Sequence, residues 1–335
     1  MTLVSQVFFP ELGTVTCRKE EIEPPVLAAD EVRLNVSHLG ICGSELHVLG
    51  GGHPFAKPPM VTGHEISAVV AELGAEVTCV AVGDHVVADP IQPCMKCRAC
   101  LSGRYNLCEP PMVAGFRAPG YGRSSLVVKA RNLHRASRSV PLDVLAFAEP
   151  AACAHHCVSR IREDAREDVL VIGCGTIGLS IVQALRIMGA GRISVIEPDP
   201  SKRALARKYG AARAFAPGEL ADDEKFTSVI DVVAAPATIM DACRRVMAGG
   251  PVVCMGVPSG PREIPLPMMQ RFERDLLSSG MYVPADFDAV IDWLERGLFD
   301  TSDLVTDVFP VEEAAAAYAR AREPSSIKVL IAFRH

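Results

Sequence analysis

Val169-Leu170-Val171-Ile172-Gly173-Cys174-Gly175-Thr176-Ile177-Gly178 reads as a buried strand that runs into a glycine turn and the start of a helix. Four apolar residues bounded by glycines suit a strand covered on both faces. Ile177 to Met188 follows as a helix. The glycines form G-x-G-x-x-G, a weak pattern alone, but here it follows a strand and opens a helix, the context a dinucleotide site requires. Gly173 permits the tight turn, Gly175 lets the backbone approach a pyrophosphate, and Gly178 allows the helix to pack closely on the strand. The helix N-terminus, from Thr176 through Ile177 to Gly178, then offers N–H groups and partial positive charge to the phosphates. Glu197 ends the next strand, 19 residues after Gly178, where an acid accepts hydrogen bonds from the adenosine ribose hydroxyls. A carboxylate there repels a 2′-phosphate, so the expected coenzyme is NAD rather than NADP. Arg203, six residues further on, softens that preference. The plainer reading is a glycine turn in a nucleotide-free α/β domain.

The same texture continues outward. Arg192 to Ile196 reads as a second strand and Pro200 to Tyr209 as a second helix. Ser228 to Ala234, Ile239 to Met247 and Pro251 to Met255 extend the alternation. Strands alternating with helices form βαβ units and a parallel sheet wound right-handed. Upstream the chain is β-rich and loop-rich, with β-branched runs at Val32 to Val36, Ile66 to Ala71, His85 to Ala88 and Ser125 to Lys129 set apart by Gly, Pro and Asp. Downstream, Asp286 to Gly297 and the alanine-rich Val311 to Arg322 suit amphipathic helices, and Ile327 to Phe333 a closing strand. The absence of internal repeats excludes a solenoid.

With 335 residues, 49% hydrophobic and 22% charged, the composition is that of a folded chain and excludes wholesale disorder. The length suits about two domains at roughly 150 residues each. A formal charge of −6 argues against a general nucleic-acid binder, because phosphates demand a basic face. The basic clusters at Arg131 to Arg138 and Arg160 to Arg166 suit solvated faces. No run of about 18 apolar residues without a charge appears, so no membrane span is expected, and the N-terminus lacks the parts of a secretory signal. The cytoplasm is the expected compartment, with no membrane partner.

There are twelve cysteines, four of them clustered as Cys94-x2-Cys97-x2-Cys100-x7-Cys108. In a reducing compartment clustered thiols suggest metal, and scattered ones small buried hydrophobes. Four thiolates meet the closed tetrahedral demand of structural zinc. An iron–sulfur cluster also takes four cysteines, but no proline follows the last ones in the ferredoxin manner. A second group comprises Gly40-Ile41-Cys42-Gly43-Ser44-Glu45-Leu46-His47 and Gly63-His64-Glu65. Cys42 and His64 offer S and N ligands, and a catalytic zinc takes about three protein ligands with one position left open. Glu149, in Ala148-Glu149-Pro150, is a third candidate just ahead of the nucleotide-binding half. Composition alone does not pair them, since a lone Cys or His is more often packed core. His155 and His156 point about 100° apart on a helix and seldom share an ion. Cys153 and Cys157 suit buried thiols on one helix face. His53 and His134 have no partner legible in the sequence, and His85 suits a turn without chemistry.

These motifs, in this order, resemble the zinc-dependent medium-chain dehydrogenase/reductase family, the alcohol dehydrogenases and their polyol and threonine dehydrogenase relatives. Gly-Ile-Cys42-Gly-Ser44, Gly63-His64-Glu65, Gly83-Asp84-His85-Val86-Val87, the four-cysteine loop, Glu149-Pro150 and the glycine motif carry the resemblance over nearly the whole length. It implies an α/β chain with a GroES-like β-barrel catalytic domain, 1–150 and 284–335, and a Rossmann doubly wound coenzyme domain, 151–283. Two zinc ions are implied. One is catalytic, on Cys42, His64 and Glu149, with Glu65 as a support or alternate ligand. The other is structural, on Cys94, Cys97, Cys100 and Cys108. In such a site zinc polarises the substrate oxygen and hydride passes to the nicotinamide. Ser44 matches the hydroxyl that receives the alcohol proton, and His47 the histidine that passes it outward.

The implied reaction is NAD-dependent oxidation of a secondary alcohol (a polyol, cyclitol or amino-polyol) to a ketone, or the reverse. Alternatives are a threonine-type amino-alcohol dehydrogenase, a biosynthetic carbonyl reductase, and a non-catalytic dehydrogenase-like binding protein. Two stretches expected to line the substrate pocket, Gly120-Tyr121-Gly122-Arg123-Ser124-Ser125 and Gly280-Met281-Tyr282-Val283-Pro284, depart from the sorbitol dehydrogenase pattern. The resemblance also implies a homodimer or homotetramer joined through the edge strand of the nucleotide domain, expected near Pro261 to Met268.

Overall fold

The structure is a computed structural model and describes residues 1–258 and 260–334. It comprises two compact units: Met1–Glu149 with Val283–Gly297 and Thr301–His335, and Pro150–Tyr282 with Leu298–Asp300. The short Leu298–Asp300 segment joins the second unit because Gln183 brackets it, donating to the Asp300 carbonyl and accepting from the Asp300 N–H, both at 2.8 Å.

The second unit is built on six parallel strands. Their order is Arg213–Phe215, Arg192–Ile196, Asp168–Ile172, Ser228–Asp231, Pro251–Cys254 and Asp275–Ser278. Numbered by sequence that order is 3-2-1-4-5-6, the doubly wound arrangement whose ligand crevice opens where the winding reverses, at the carboxyl ends of the first and fourth strands. Val169, Leu170 and Val171 are fully buried, as expected of a strand covered on both faces. The expected strand Ser228 to Ala234 stops at Asp231 because the Asp231 carboxylate accepts from the N–H groups of Val233 and Ala234 and turns the chain there. The edge strand is Asp275–Ser278. Pro261 to Met268, expected to supply that edge, forms instead a loop and the start of the helix Leu266–Arg271, which Pro267 opens as a first-turn proline.

The first unit carries a seven-stranded sheet ordered Val305–Pro310, Lys328–Ala332, Glu31–Gly40, Glu65–Leu73, His85–Ala88 and Leu133–Ala136, with Ser125–Lys129 also paired to Glu31–Gly40. A second sheet orders Thr16–Ile22, Thr2–Phe9 and Met60–Val61. Val32, Leu34 and Val36 alternate inward on the central strand and are fully buried. The register of that strand sets Gly40 opposite both Glu65 and Leu330. The C-terminal strand is thereby laid beside the two motifs of the metal-like group. The helix expected over Val311 to Arg322 is a 3₁₀ turn, Val311–Glu313, followed by the helix Ala314–Ala321. No helix among the described residues is long and apolar enough to cross a membrane.

Candidate active site

Cys42 stands at the N-cap position of the short helix Gly43–Leu49, and His64 immediately precedes the strand Glu65–Leu73. The ligand atoms of Cys42, His64 and Glu65 all lie within 4.8 Å of one another. Glu149 is buried at the first turn of the helix Ala148–Ser159 but does not enter this close group. Of the two carboxylates, Glu65 is thus the one that stands close to both Cys42 and His64. The reason is the sheet register: Glu65 is held directly opposite Gly40, where an added Cβ would lie 2.1 Å from its carboxylate. Glycine at 40 is what makes room for that carboxylate.

Lys328 was not anticipated as a site residue. It is 3% exposed and spends all three ammonium protons, on Glu65 Oε1 at 2.9 Å, Glu65 Oε2 at 2.6 Å and the Ile41 carbonyl at 3.0 Å. Burial by itself favours a neutral amine, but the charges of Glu65, Cys42 and Glu149 outweigh it and raise its pKa. Asp89, also buried, is pushed up to about 7 by burial first, against a hydrogen bond from the Ile91 N–H, with the Glu149 charge adding to the rise.

Glu45 is the second residue the sequence reading missed. It is fully buried, and its Oε1 faces His64 Nδ1 at 3.1 Å. Burial opposes a charged imidazole, yet hydrogen bonding and charge from Cys42 and Glu45 hold the His64 pKa well above its usual value. Thiol, imidazole and carboxylate form a donor set suited to zinc. Glu45, Glu65 and Glu149 are three buried carboxylates set against Lys328 and His64, and metal binding requires the Cys42 thiol to ionise as well. A divalent cation fits the resulting negative excess.

Ser44 donates its hydroxyl to Cys42 Sγ at 3.1 Å, and His47, one turn along the same helix, is exposed. Phe116 provides an aromatic wall: its ring lies 5.1 Å from His64 and stacks on His53 at 4.9 Å. His53 thus has partners, the Phe116 ring and the Ala56 N–H. His134 contacts Asp288 at 3.1 Å and stacks on Phe287 at 4.5 Å, and His85 bonds the Val140 carbonyl. Tyr121, expected at the pocket, is buried and donates to the Asp89 carbonyl. Tyr282 is likewise buried.

The sulfurs of Cys94, Cys97, Cys100 and Cys108 converge within 4.8 Å. Backbone N–H groups point at them: Cys97 to Cys94 Sγ, Cys94 to Cys108 Sγ and Cys100 to Cys97 Sγ. N–H donors from Lys96 and Cys97 bring the Cys94 thiol down to about 6, whereas desolvation and its thiol neighbours push Cys100 up to about 12. Four thiols this close cannot all ionise unaided. A tetrahedral dication resolves the conflict, so the residues fit structural zinc.

In the second unit Gly173 has φ +96°, and a Cβ on Gly178 would lie 1.9 Å from the Gly173 carbonyl oxygen. A Cβ on Gly175 would meet nothing within 4 Å. The helix Thr176–Ile187 that begins there has no side-chain cap, leaving the space and the donors a phosphate takes. Glu197 accepts from the Cys174 N–H at 2.7 Å and the Asp199 N–H at 2.9 Å. Arg203 donates Nη1 to the carbonyls of Glu197 and Pro198, both at 2.7 Å.

Comparison with known proteins agrees with this geometry. Residues 28–138 match the model of the alcohol dehydrogenase GroES-like domain, and residues 176–296 that of the zinc-binding dehydrogenases. A 2-dehydro-3-deoxy-L-galactonate 5-dehydrogenase of Pseudoalteromonas atlantica is 32% identical over 316 residues, 90% of this chain and 92% of that protein. A zinc-binding dehydrogenase of Sinorhizobium meliloti bound to NADP superposes with TM-score 0.92 at 26% identity, covering 99% of this chain and 100% of that one. The alcohol dehydrogenase RspB of Escherichia coli CFT073, in complex with NADH, superposes with TM-score 0.91 at 28% identity, again over 99% and 100%. The chain belongs to the zinc-dependent medium-chain dehydrogenase/reductase family, as an oxidoreductase of the alcohol dehydrogenase type.

Proposed function

We propose that this dehydrogenase oxidises a secondary hydroxyl of a polyol-type substrate to the ketone, or reduces the ketone, using zinc and NAD. The observation that carries the reading is the close group of Cys42, His64 and Glu65 donors. When bound, zinc supplies Lewis acidity to a substrate oxygen and NAD accepts hydride. Cys42 and His64 bind the metal. Lys328 engages both oxygens of Glu65, so Glu65 serves as buried counter-charge and Glu149 becomes the third ligand. Ser44, already a hydroxyl donor beside the Cys42 sulfur, accepts the alcohol proton, and exposed His47 hands it to solvent. The Phe116 and His53 rings keep water from the His64 side.

Gly173, Gly175, Thr176, Ile177 and Gly178 hold the pyrophosphate, and Glu197 the ribose. Arg203 is tied to the carbonyls beside Glu197, and the two solved neighbours carry NADP and NADH respectively. Both coenzymes therefore belong in the test. A relative named for action at position 5 of a deoxy-galactonate supports a hydroxylated carbon chain as substrate. Four cysteines clustered as a metal-binding set suit a reducing compartment, the cytoplasm, and assembly into a homodimer or homotetramer is part of the reading. The test offers NAD or NADP to the purified protein with polyols, sugar acids, cyclitols and amino alcohols. NAD reduction with a polyol or sugar acid is expected. Turnover with NADP only would overturn the role of Glu197, and turnover only with amino alcohols would overturn the substrate class.

A further inference from the structure

Tyr318 lies on the helix Ala314–Ala321, 273 residues from Glu45, and is 1% exposed. Its hydroxyl donates to Glu45 Oε2 at 2.6 Å. The other Glu45 oxygen faces His64 Nδ1 at 3.1 Å. The tyrosine ring is itself fixed, edge-on to Phe9 with centroids 5.2 Å apart. Glu45 thus has one oxygen for the C-terminal helix and one for the ring of a metal-ligand candidate, with no solvent to reorient it.

We propose that Tyr318 is a positioning residue for the metal site: its hydroxyl holds the Glu45 carboxylate in the orientation that sets the His64 ring. The inference rests on the reading of Cys42 and His64 as zinc ligands. A carboxylate next to the non-ligating nitrogen of a histidine fixes its tautomer and raises its basicity as a ligand. That effect requires the carboxylate to stay in place. A buried carboxylate that loses its donor turns toward another, and here the neighbour that remains is His64 itself.

The test is Tyr318→Phe, which removes only the hydroxyl. Zinc affinity is read by chelator competition and the metal environment by the visible spectrum of the cobalt(II)-substituted protein. The Cys42→Ala variant identifies which zinc is being followed. We expect affinity at the Cys42 site to fall about 10- to 100-fold, the cobalt spectrum to shift, and the four-cysteine zinc to be retained. In a Glu45→Gln background the same substitution should change zinc affinity by less than about 2-fold, because the residue acts through Glu45. Wild-type zinc affinity with an unchanged cobalt spectrum overturns the proposal, as does a loss that is equally large in the Glu45→Gln background. Should Tyr318→Phe fail to fold, Glu45→Gln alone must weaken zinc, since its amide cannot serve both neighbours as the carboxylate does. Wild-type affinity in that variant also overturns the proposal. If Cys42→Ala still binds both zinc ions, it is the metal-site reading that fails, a distinct result.

Discussion

Lys328 concentrates the charge balance of the first unit in one ammonium. Removing one partner of a buried ion pair leaves the other uncompensated, at a cost of about 3–5 kcal/mol. Lys328→Met should therefore destabilise the protein by about that amount in urea unfolding. A loss below about 1 kcal/mol would show that Glu65 is satisfied elsewhere. Asp89 yields a prediction in pH. Its folded pKa is about 7 against an ordinary value of 3.8, so between those values the folded state holds more protons than the unfolded. Stability from this group falls as pH rises through that window, and the cost is complete above it. Asp89→Asn keeps the acceptor for the Ile91 N–H and should gain stability relative to wild type at about pH 8 more than at about pH 5. Equal differences at both would refute the argument. Burial is the larger cause of the shift, so its direction does not depend on what Glu149 binds. Glu45 shows why some site residues were illegible. Three residues after Cys42, it reads as the acid favoured in a helix first turn, and nothing in the sequence says that it is buried against a residue 273 positions away.

At the scale of elements, four strands of the parallel sheet were legible as short apolar runs, and the structure places Arg192–Ile196 on the residues read as a strand, whereas the short Arg213–Phe215 and the little-buried Asp275–Ser278 were not read. Thr2–Phe9 and Thr16–Ile22 were not read. Thr16–Ile22 has no buried position, and an exposed strand carries a weak apolar pattern. Val305–Pro310, also without a fully buried residue, was missed for the same reason. The 3₁₀ turn at Val311–Glu313 was absorbed into the helix that follows because it runs directly into the alanine-rich Ala314–Ala321 with no glycine or proline between them. The glycine turn offers a clean test of the coenzyme cradle. A side chain at 175 meets no protein atom within 4 Å at its Cβ, so Gly175→Val should shift the thermal midpoint little. It should weaken NADH binding by about 10-fold or more, because the valine occupies space the pyrophosphate takes. Unchanged NADH affinity in calorimetry would place the dinucleotide elsewhere.

At the scale of the whole molecule, the family resemblance supplied the ligand roles, and the residues around the ligands came only from the fold. Cys42, His64 and the four clustered cysteines stand in motifs that the sequence displays. Lys328 sits on the C-terminal strand, which sheet register lays beside the N-terminal motifs, and Tyr318 on the helix ahead of that strand reaches Glu45 by its hydroxyl. The claim that matters most is that Cys42 and His64 hold a catalytic zinc apart from the zinc of the four-cysteine loop. The most direct measurement is zinc content and NAD-dependent alcohol oxidation on the same preparations of wild type and Cys42→Ala. We predict about two zinc ions per chain with turnover in wild type, and about one, without turnover and with the fold retained, in the variant. Equal zinc content in both, or turnover that survives in Cys42→Ala, would contradict the account.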